Sequence, residues 1–314
     1  MVDSKQQWKA WLYLSPAIVL LLVFTVYPIF NTVRMAFLEN YSGLKAAAGQ
    51  TFEFGLGNFA MVIEYKRFLQ CLKYTVLLCV LTVPISTVLA LLIAVALNSI
   101  KWLQKGLQTI FFLPYVTNSI AIGMVFAAMF NIVGAFYGTE NELIVTAGII
   151  NDVIRFCGGN HVNWINYGST YEANMFVLVV YIVWNALPFK SLVLLGGLQS
   201  INKQYYDAAK VDSTPRSRVF TRITVPLLSP MLAYVIITGF IGGFKEYTSI
   251  VGIFGENMGP PDEAGRLNTM VGFIYDALET NSQGRASAAA LILFGIILVV
   301  TVFNNRVIKK HTHY

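Results

Sequence analysis

Residues 205–230 read YYDAAKVDSTPRSRVFTRITVPLLSP. No other polar interval between the chain's hydrophobic blocks is as long with so orderly a charge pattern. It carries Lys210, Arg216, Arg218 and Arg222 against Asp207 and Asp212. Apolar blocks long enough to cross a bilayer flank it on both sides. The stretch therefore reads as a charged loop on one face of an integral membrane protein.

Composition supports that reading. The 314 residues are 56% hydrophobic and only 12% charged, whereas a soluble domain carries about 25% charge. The mean hydropathy is +0.62. Such a chain cannot cover its surface with polar groups, so lipid is the expected solvent. The net charge of +6 is small for nucleic-acid binding, and none is expected.

A helix needs about 20 predominantly apolar residues to span the hydrocarbon core, and six segments qualify. They are predicted at 11–30, 72–97 with Pro84, 107–130 with Pro114, 174–195 with Pro188 and Lys190, 231–254 with Gly239, Gly242 and Gly243, and 286–303. The first follows Lys5 and Lys9 as a signal peptide would. Its apolar run is longer than a signal h-region and no small-residue cleavage site follows, so it reads as an uncleaved span.

Charge sets the orientation. With the N-terminus in the cytoplasm, the inner segments hold twelve basic residues against three acids, and the outer segments seven against twelve. Short loops rich in Lys and Arg stay inside. The fold class is thus all-α, a polytopic membrane protein of six helices with both termini cytoplasmic. The expected division is 1–70 (N-terminal segment, first span, first outer loop), 71–305 (five helices with the inner loop 198–229) and 306–314 (tail). No long soluble domain is expected.

Within the inner loop, Leu198–Asp212 is predicted to form a short helix capped by Ser200. Pro215 breaks it and opens a second, Arg216–Ile223. Arg218 and Arg222 form an i,i+4 pair on that second helix. The spacing then meets a known signature. Permease subunits of binding-protein-dependent ABC importers of the sugar type, which include maltose and glycerol-3-phosphate permeases, carry E-A-A-x3-G-x9-I-x-L-P. This chain reads Asp207-Ala208-Ala209, three residues, Ser213, nine residues, Ile223, one residue, Val225-Pro226. It departs at Asp for Glu, Ser for Gly and Val for Leu. YLSPAIVLLLVFTVYPI at 13–29, FFLPYV at 111–116, LPFKSLVLLGGLQSI at 187–201, GFKEYTSIVGIF ending at Phe254 and GRASAAALILF at 284–294 resemble other stretches of that family in order.

The resemblance implies a mechanism. Asp207, Ala208, Ala209, Asp212, Ser213, Arg218, Ile223 and Pro226 would form the coupling element that docks a cytoplasmic ABC ATPase dimer. A second permease subunit would complete the path, and an extracytoplasmic solute-binding protein would deliver a carbohydrate or related solute. ATP would be used on the partner ATPase in the inner membrane of a prokaryote. The chain has no G-x-x-x-x-G-K-[ST] phosphate loop, so it is expected to bind no cofactor and to be no enzyme itself.

Trp184, Asn185, Gly243 and Glu246 are the candidate path residues. Aromatic faces suit sugar rings, amides suit hydroxyls, and an intramembrane carboxylate is a functional candidate by default. Gly242 and Gly243 also suit close helix packing. Lys190 is expected to snorkel to the inner interface. Cys71, Cys79 and Cys157 show no metal-ligand spacing, and a Cys71–Cys157 bridge stays open. His161, His311 and His313 do not cluster with cysteine or carboxylate, so no metal site and no catalytic residue is expected. The competing class is a secondary transporter driven by an ion gradient, which needs intramembrane carboxylates. Glu246 is the one the span assignment supplies.

Overall fold

The computed structural model describes residues 7–100, 104–137 and 143–311. Lys5, Asp3, Lys101, Glu140, Glu142 and His313, used above for orientation or tail assignment, lie outside the described residues. Two compact units emerge. The first comprises 1–69 and 273–295; the second comprises 70–272 and 296–314.

In the first unit, α1 (Gln7–Leu21) passes through a π-helical turn (Leu22–Val26) into α2 (Tyr27–Phe37). Together they form a 30-residue apolar span, Trp8–Phe37, with none of its most apolar window buried in the chain. A helix apolar on all sides belongs in lipid or against another membrane helix. α3 (Gly43–Ala47) and α4 (Gly57–Glu64) follow. Phe37 stacks on Phe54 at 5.6 Å, and Phe68 meets Phe273 edge-on at 5.5 Å. Arg67 pairs with Asp276 at 3.4 Å.

The second unit holds most of α5 (Lys66–Ser99), then α6 (Gln104–Val116) and α7 (Ser119–Phe130). α6 and α7 take the place of the third span expected at 107–130. The apolar segments Gln108–Val116 and Ser119–Phe130 meet at a bend of 102°. Asn118 causes the restart, because its side chain accepts from Ile120 N at 2.9 Å and Ala121 N at 3.3 Å and so caps a new helix. Among the described residues there are thus five helices long and apolar enough to cross a membrane, and a sixth span if the bent pair counts as one.

The predicted outer loop 131–173 holds more structure than its sequence suggests. β1 (Ile132–Tyr137) and β2 (Leu143–Ala147) pair antiparallel, and α8 (Ile149–Phe156) follows. Asparagines build the remainder. Asn151 accepts from Val162 N at 3.0 Å and Trp164 Nε1 at 3.2 Å. Asn174 donates to Trp164 O at 2.7 Å and Ser169 Oγ at 2.9 Å.

α9 (Tyr171–Ser200) starts at an N-cap, where Thr170 Oγ1 accepts from Ala173 N. α10 (Lys203–Val211) and α11 (Arg216–Val219) form the loop of the opening stretch. A π turn, Phe220–Thr224, carries α11 into α12 (Val225–Phe244). The fifth span is therefore Arg216–Phe244, beginning earlier and ending earlier than its hydropathy suggests. α13 (Thr248–Phe254) and α14 (Met270–Glu279) precede the last span in α15 (Gln283–His311).

Two apolar clusters organise the second unit. One joins Tyr74 and Leu78 of α5 with Leu178 and Tyr181 of α9 and Ile250 of α13. The other joins Ala90, Ala94 and Leu97 of α5 with Leu194, Leu195 and Leu198 of α9 and Leu228 and Val235 of α12. Between them, each of these long helices presents a polar band.

Candidate functional site

That band encloses a cavity of about 260 Å³ lined by Thr82, Val83, Ser86, Tyr115, Ile182, Asn185, Ala186, Phe189, Lys190, Thr238, Gly239, Gly242, Gly243, Glu246 and Ser249. Its size falls just below the range of small-molecule sites, which run roughly 300–1,000 Å³. Thr82 and Ser86 sit one turn apart on α5, and each hydroxyl bonds the carbonyl four residues back, at 2.8 and 2.5 Å. The hydroxyls are thereby satisfied as donors in apolar surroundings while their lone pairs remain open.

Lys190 takes up the open lone pair of Ser86. Its Nζ donates to Ser86 Oγ at 2.7 Å, Thr87 Oγ1 at 3.1 Å and Val83 O at 3.3 Å. The residue is only 5% exposed, so it does not snorkel to the interface as the sequence suggests. All three N–H bonds are used inside the helix pair, and among the described residues no carboxylate lies within ion-pair distance. The tertiary register of α9 on α5 overrides its position near the helix end.

Glu246 lies at the break between α12 and α13, not within a straight span. Its Oε1 accepts from Tyr247 N and Ser249 N, both at 3.1 Å. The carboxylate thus holds the start of α13 with one oxygen. Thr269 Oγ1 donates to its backbone carbonyl at 2.8 Å. Adjacent Lys245 is exposed.

Asn185 donates to Ser119 Oγ at 3.3 Å, which ties α9 to the first turn of α7 beside Tyr181, whose hydroxyl donates to Ser119 O. Gly243 packs tightly: a Cβ there would approach Cys79 Sγ to 2.8 Å, whereas one at Gly242 would meet nothing within 4 Å. Gly243 therefore serves close packing as well as lining, and Gly242 opens onto the cavity.

Three of the four candidate path residues thus converge: Asn185, Gly243 and Glu246. Trp184 does not line the cavity; its ring packs on Phe126 at 5.0 Å. The aromatic wall is instead Tyr115 stacked on Phe189, 5.5 Å between centroids and 17° from parallel. Sequence reasoning missed this pair. Each ring follows a proline, Pro114 or Pro188, and that shared feature is the signal that could have found it.

The loop is the second candidate site. Asn202, not Ser200, caps α10, accepting from Gln204 N at 3.0 Å. Pro215 is the extended residue before α11 rather than its first helical one. On α10, Ala209 is buried, and Tyr206 OH lies 3.3 Å from Thr224 Oγ1. Asp207 and Val211 lie on the opposite side and are exposed, as are Tyr205 and Ala208, with Val211 85% exposed. Asp212 and Arg218 are also exposed, Ile223 is half-buried in the π turn, and Pro226 lies exposed in the first turn of α12. Ser213 has φ +51, the left-handed geometry that glycine adopts freely. Its N–H reaches Lys210 O at 3.0 Å, and Thr214 N reaches Ala209 O at 2.9 Å. Ser213 therefore closes the helix as a glycine would.

Residues 86–312 match the family model described as the binding-protein-dependent transport system inner membrane component. The chain belongs to that family. A lactose transport system permease protein (LacF) of Rhizobium radiobacter is 31% identical over 94% of this chain and 91% of its own length. An arabinooligosaccharide transport permease (AraP) of Bacillus subtilis is 28% identical, covering 94% and 86%. An sn-glycerol-3-phosphate transport permease (UgpA) of Agrobacterium fabrum is 28% identical, covering 97% and 96%. Among solved structures, a chain of a bacterial ABC transporter that imports the acidic polysaccharide alginate matches with a TM-score of 0.75 at 22% identity, covering 99% of this chain and 98% of that one. That likeness bears on the fold.

Cys71 and Cys79 are buried and Cys157 is exposed, and none of the three is in a disulfide, so no Cys71–Cys157 bridge is present. No metal-holding cluster occurs among the described residues.

Proposed function

We propose that this permease moves a neutral carbohydrate or related polyol inward across the inner membrane of a prokaryote, with both termini cytoplasmic. It pairs with a second permease subunit, takes its energy from an ABC ATPase dimer docked on α10 and α11, and receives cargo from an extracytoplasmic solute-binding protein. The observation that carries the reading is the cavity. Hydroxyl, amide and carboxylate oxygens face a stacked aromatic pair there, which is the chemistry that grips a polyhydroxylated ring. The relatives' names, lactose and arabinooligosaccharide transport, point the same way.

Lys190 favours a neutral cargo over a phosphorylated one, because its three N–H bonds already have acceptors. Glu246, the carboxylate that an ion-gradient transporter would need, has one oxygen occupied by backbone N–H groups. The test is uptake by proteoliposomes holding this chain, a second permease and the ATPase, with the solute-binding protein outside. Uptake of a labelled disaccharide should require internal ATP, stop with vanadate and survive a protonophore. Uptake that needs a proton gradient and no ATP would overturn the reading.

A further inference from the structure

We propose that a polar pocket in the first compact unit is a socket for an acidic side chain of the solute-binding protein. This rests on the importer reading above. The pocket, of about 530 Å³, is walled by the turns at 40–45 and 280–282, by α4 and by the start of α15. It lies among segments that the charge distribution assigns to the outer face.

The pocket is built rather than incidental. Asn58 is wholly buried. Its Nδ2 donates to Ala36 O at 3.0 Å and Leu38 O at 2.7 Å, and its Oδ1 accepts from Asn40 N at 3.2 Å. Gly284 N donates to Tyr41 O at 3.0 Å, and Gly43 N to Gln283 Oε1 at 3.0 Å. These bonds clamp the two turns together.

Its polarity is selective. Lys45 and Arg285 line it and no acid does, although acids outnumber bases twelve to seven across the expected outer segments. Ser42 lines the pocket at 7% exposure. One donor in its wall lacks an acceptor. Arg285 donates through Nη2 to Thr280 Oγ1 at 3.2 Å and lies 5.8 Å from the Tyr65 ring centroid, but its Nε is buried without a partner. Buried donors are normally satisfied. Lys45 and Arg285 bring two cations to this lining and no acid offsets them, so the complementary side chain is an acceptor-only anion, a carboxylate. The walls are turns, short helices and the first turn of α15, at the end of that span rather than along it, so the carboxylate belongs to a docking protein rather than to cargo in transit.

The experiment uses the assembled importer in nanodiscs and the solute-binding protein that raises its wild-type ATPase rate. Affinity is measured at low and high salt for wild type, Lys45→Gln, and the double variant Lys45→Glu with Arg285→Glu. Wild-type affinity should fall with salt, the double variant should lose about tenfold or more, and Lys45→Gln should lie between, since truncating a charge in a docked pair acts on this scale. Basal ATPase should not change. The binding protein alone should shield Lys45 from acylation. Unchanged affinity in the double variant, salt-independent wild-type binding, or shielding of Lys45 by free glucuronate would each overturn the socket. If no solute-binding protein stimulates the wild type, the importer reading fails instead.

Discussion

Asp207 and Lys210 pair at 2.9 Å with both side chains largely exposed. Lys190, in the same compact unit, is buried and held by two hydroxyls and a carbonyl with no carboxylate beside it. The first arrangement is worth little to the chain, since exposed pairs contribute about 0–1 kcal/mol. The second sets a charge where leaving it unpaired costs several kcal/mol. The loop therefore keeps its charges available to another protein, whereas the cavity commits its charge inward. Substitutions in the two regions should fail in different ways: in the loop by lost communication, in the cavity by lost structure or lost passage.

The largest effect is expected at Lys190. Lys190→Glu places a carboxylate against three acceptors and should cost about 3–5 kcal/mol, read as a lowered Tm and poor assembly in detergent. Lys190→Met keeps the volume and removes the charge, so it should stay within ~1 kcal/mol of wild type, because apolar replacement of a buried charge is often neutral. A collapse of the Met variant as deep as that of the Glu variant would break the comparison.

Gly242→Leu comes next. No atom stands within 4 Å of a Cβ there, so the side chain should fill the cavity without disturbing the fold. ATP-driven uptake should fall at least about tenfold, or ~1.4 kcal/mol on the barrier, with Tm unchanged. Gly243→Leu should behave oppositely, losing about 1–3 kcal/mol of stability to overpacking against Cys79. Equal effects at the two glycines would show that the cavity does not bear on transport.

Asp207→Lys should leave expression and Tm alone, because the pair it breaks is exposed. Uptake and ATPase stimulation should drop severalfold together. Normal transport from an assembled complex would remove Asp207 from the docking surface. The smallest effect is at Ser213→Gly, where relief of the left-handed backbone should add up to ~1 kcal/mol with coupling intact. A thermal unfolding series would detect it.

The loop was legible because its information is local. Asp207, Ser213 and Pro226 hold their spacing within one short stretch, and Pro215 stops a helix whatever surrounds it. The cavity was only partly legible because its walls come from α5, α6, α9 and α12. Asn185, Gly243 and Glu246 stood out as polar or small residues in apolar runs. Trp184 misled, because ring chemistry says nothing about which side of α9 faces a core. Lys190 misled for a related reason: snorkelling is set by depth, and its depth depends on meeting Ser86 and Thr87 about a hundred positions away. Those hydroxyls formed a visible stripe with Thr82 on α5, and such a stripe asks for a donor on the facing helix. The break at Lys245–Tyr247 was hidden because apolar residues resume at Ile250–Phe254, so the apolar run was carried across Lys245 and Glu246.

One consequence follows from the π turn at Phe220–Thr224. It lets α11 flow into α12 without a joint, so Arg216 and Phe244 are the two ends of one 29-residue rod. At 1.5 Å per residue that rod is about 43 Å long. A rocking of only ~5° at the end carrying the arginines would sweep the far end through roughly 4 Å, by the same helical rise. Glu246 and the glycines of the cavity sit at that far end. A small rotation imposed on one side of the bilayer thus arrives at the cavity as a displacement of atomic size, amplified by length alone.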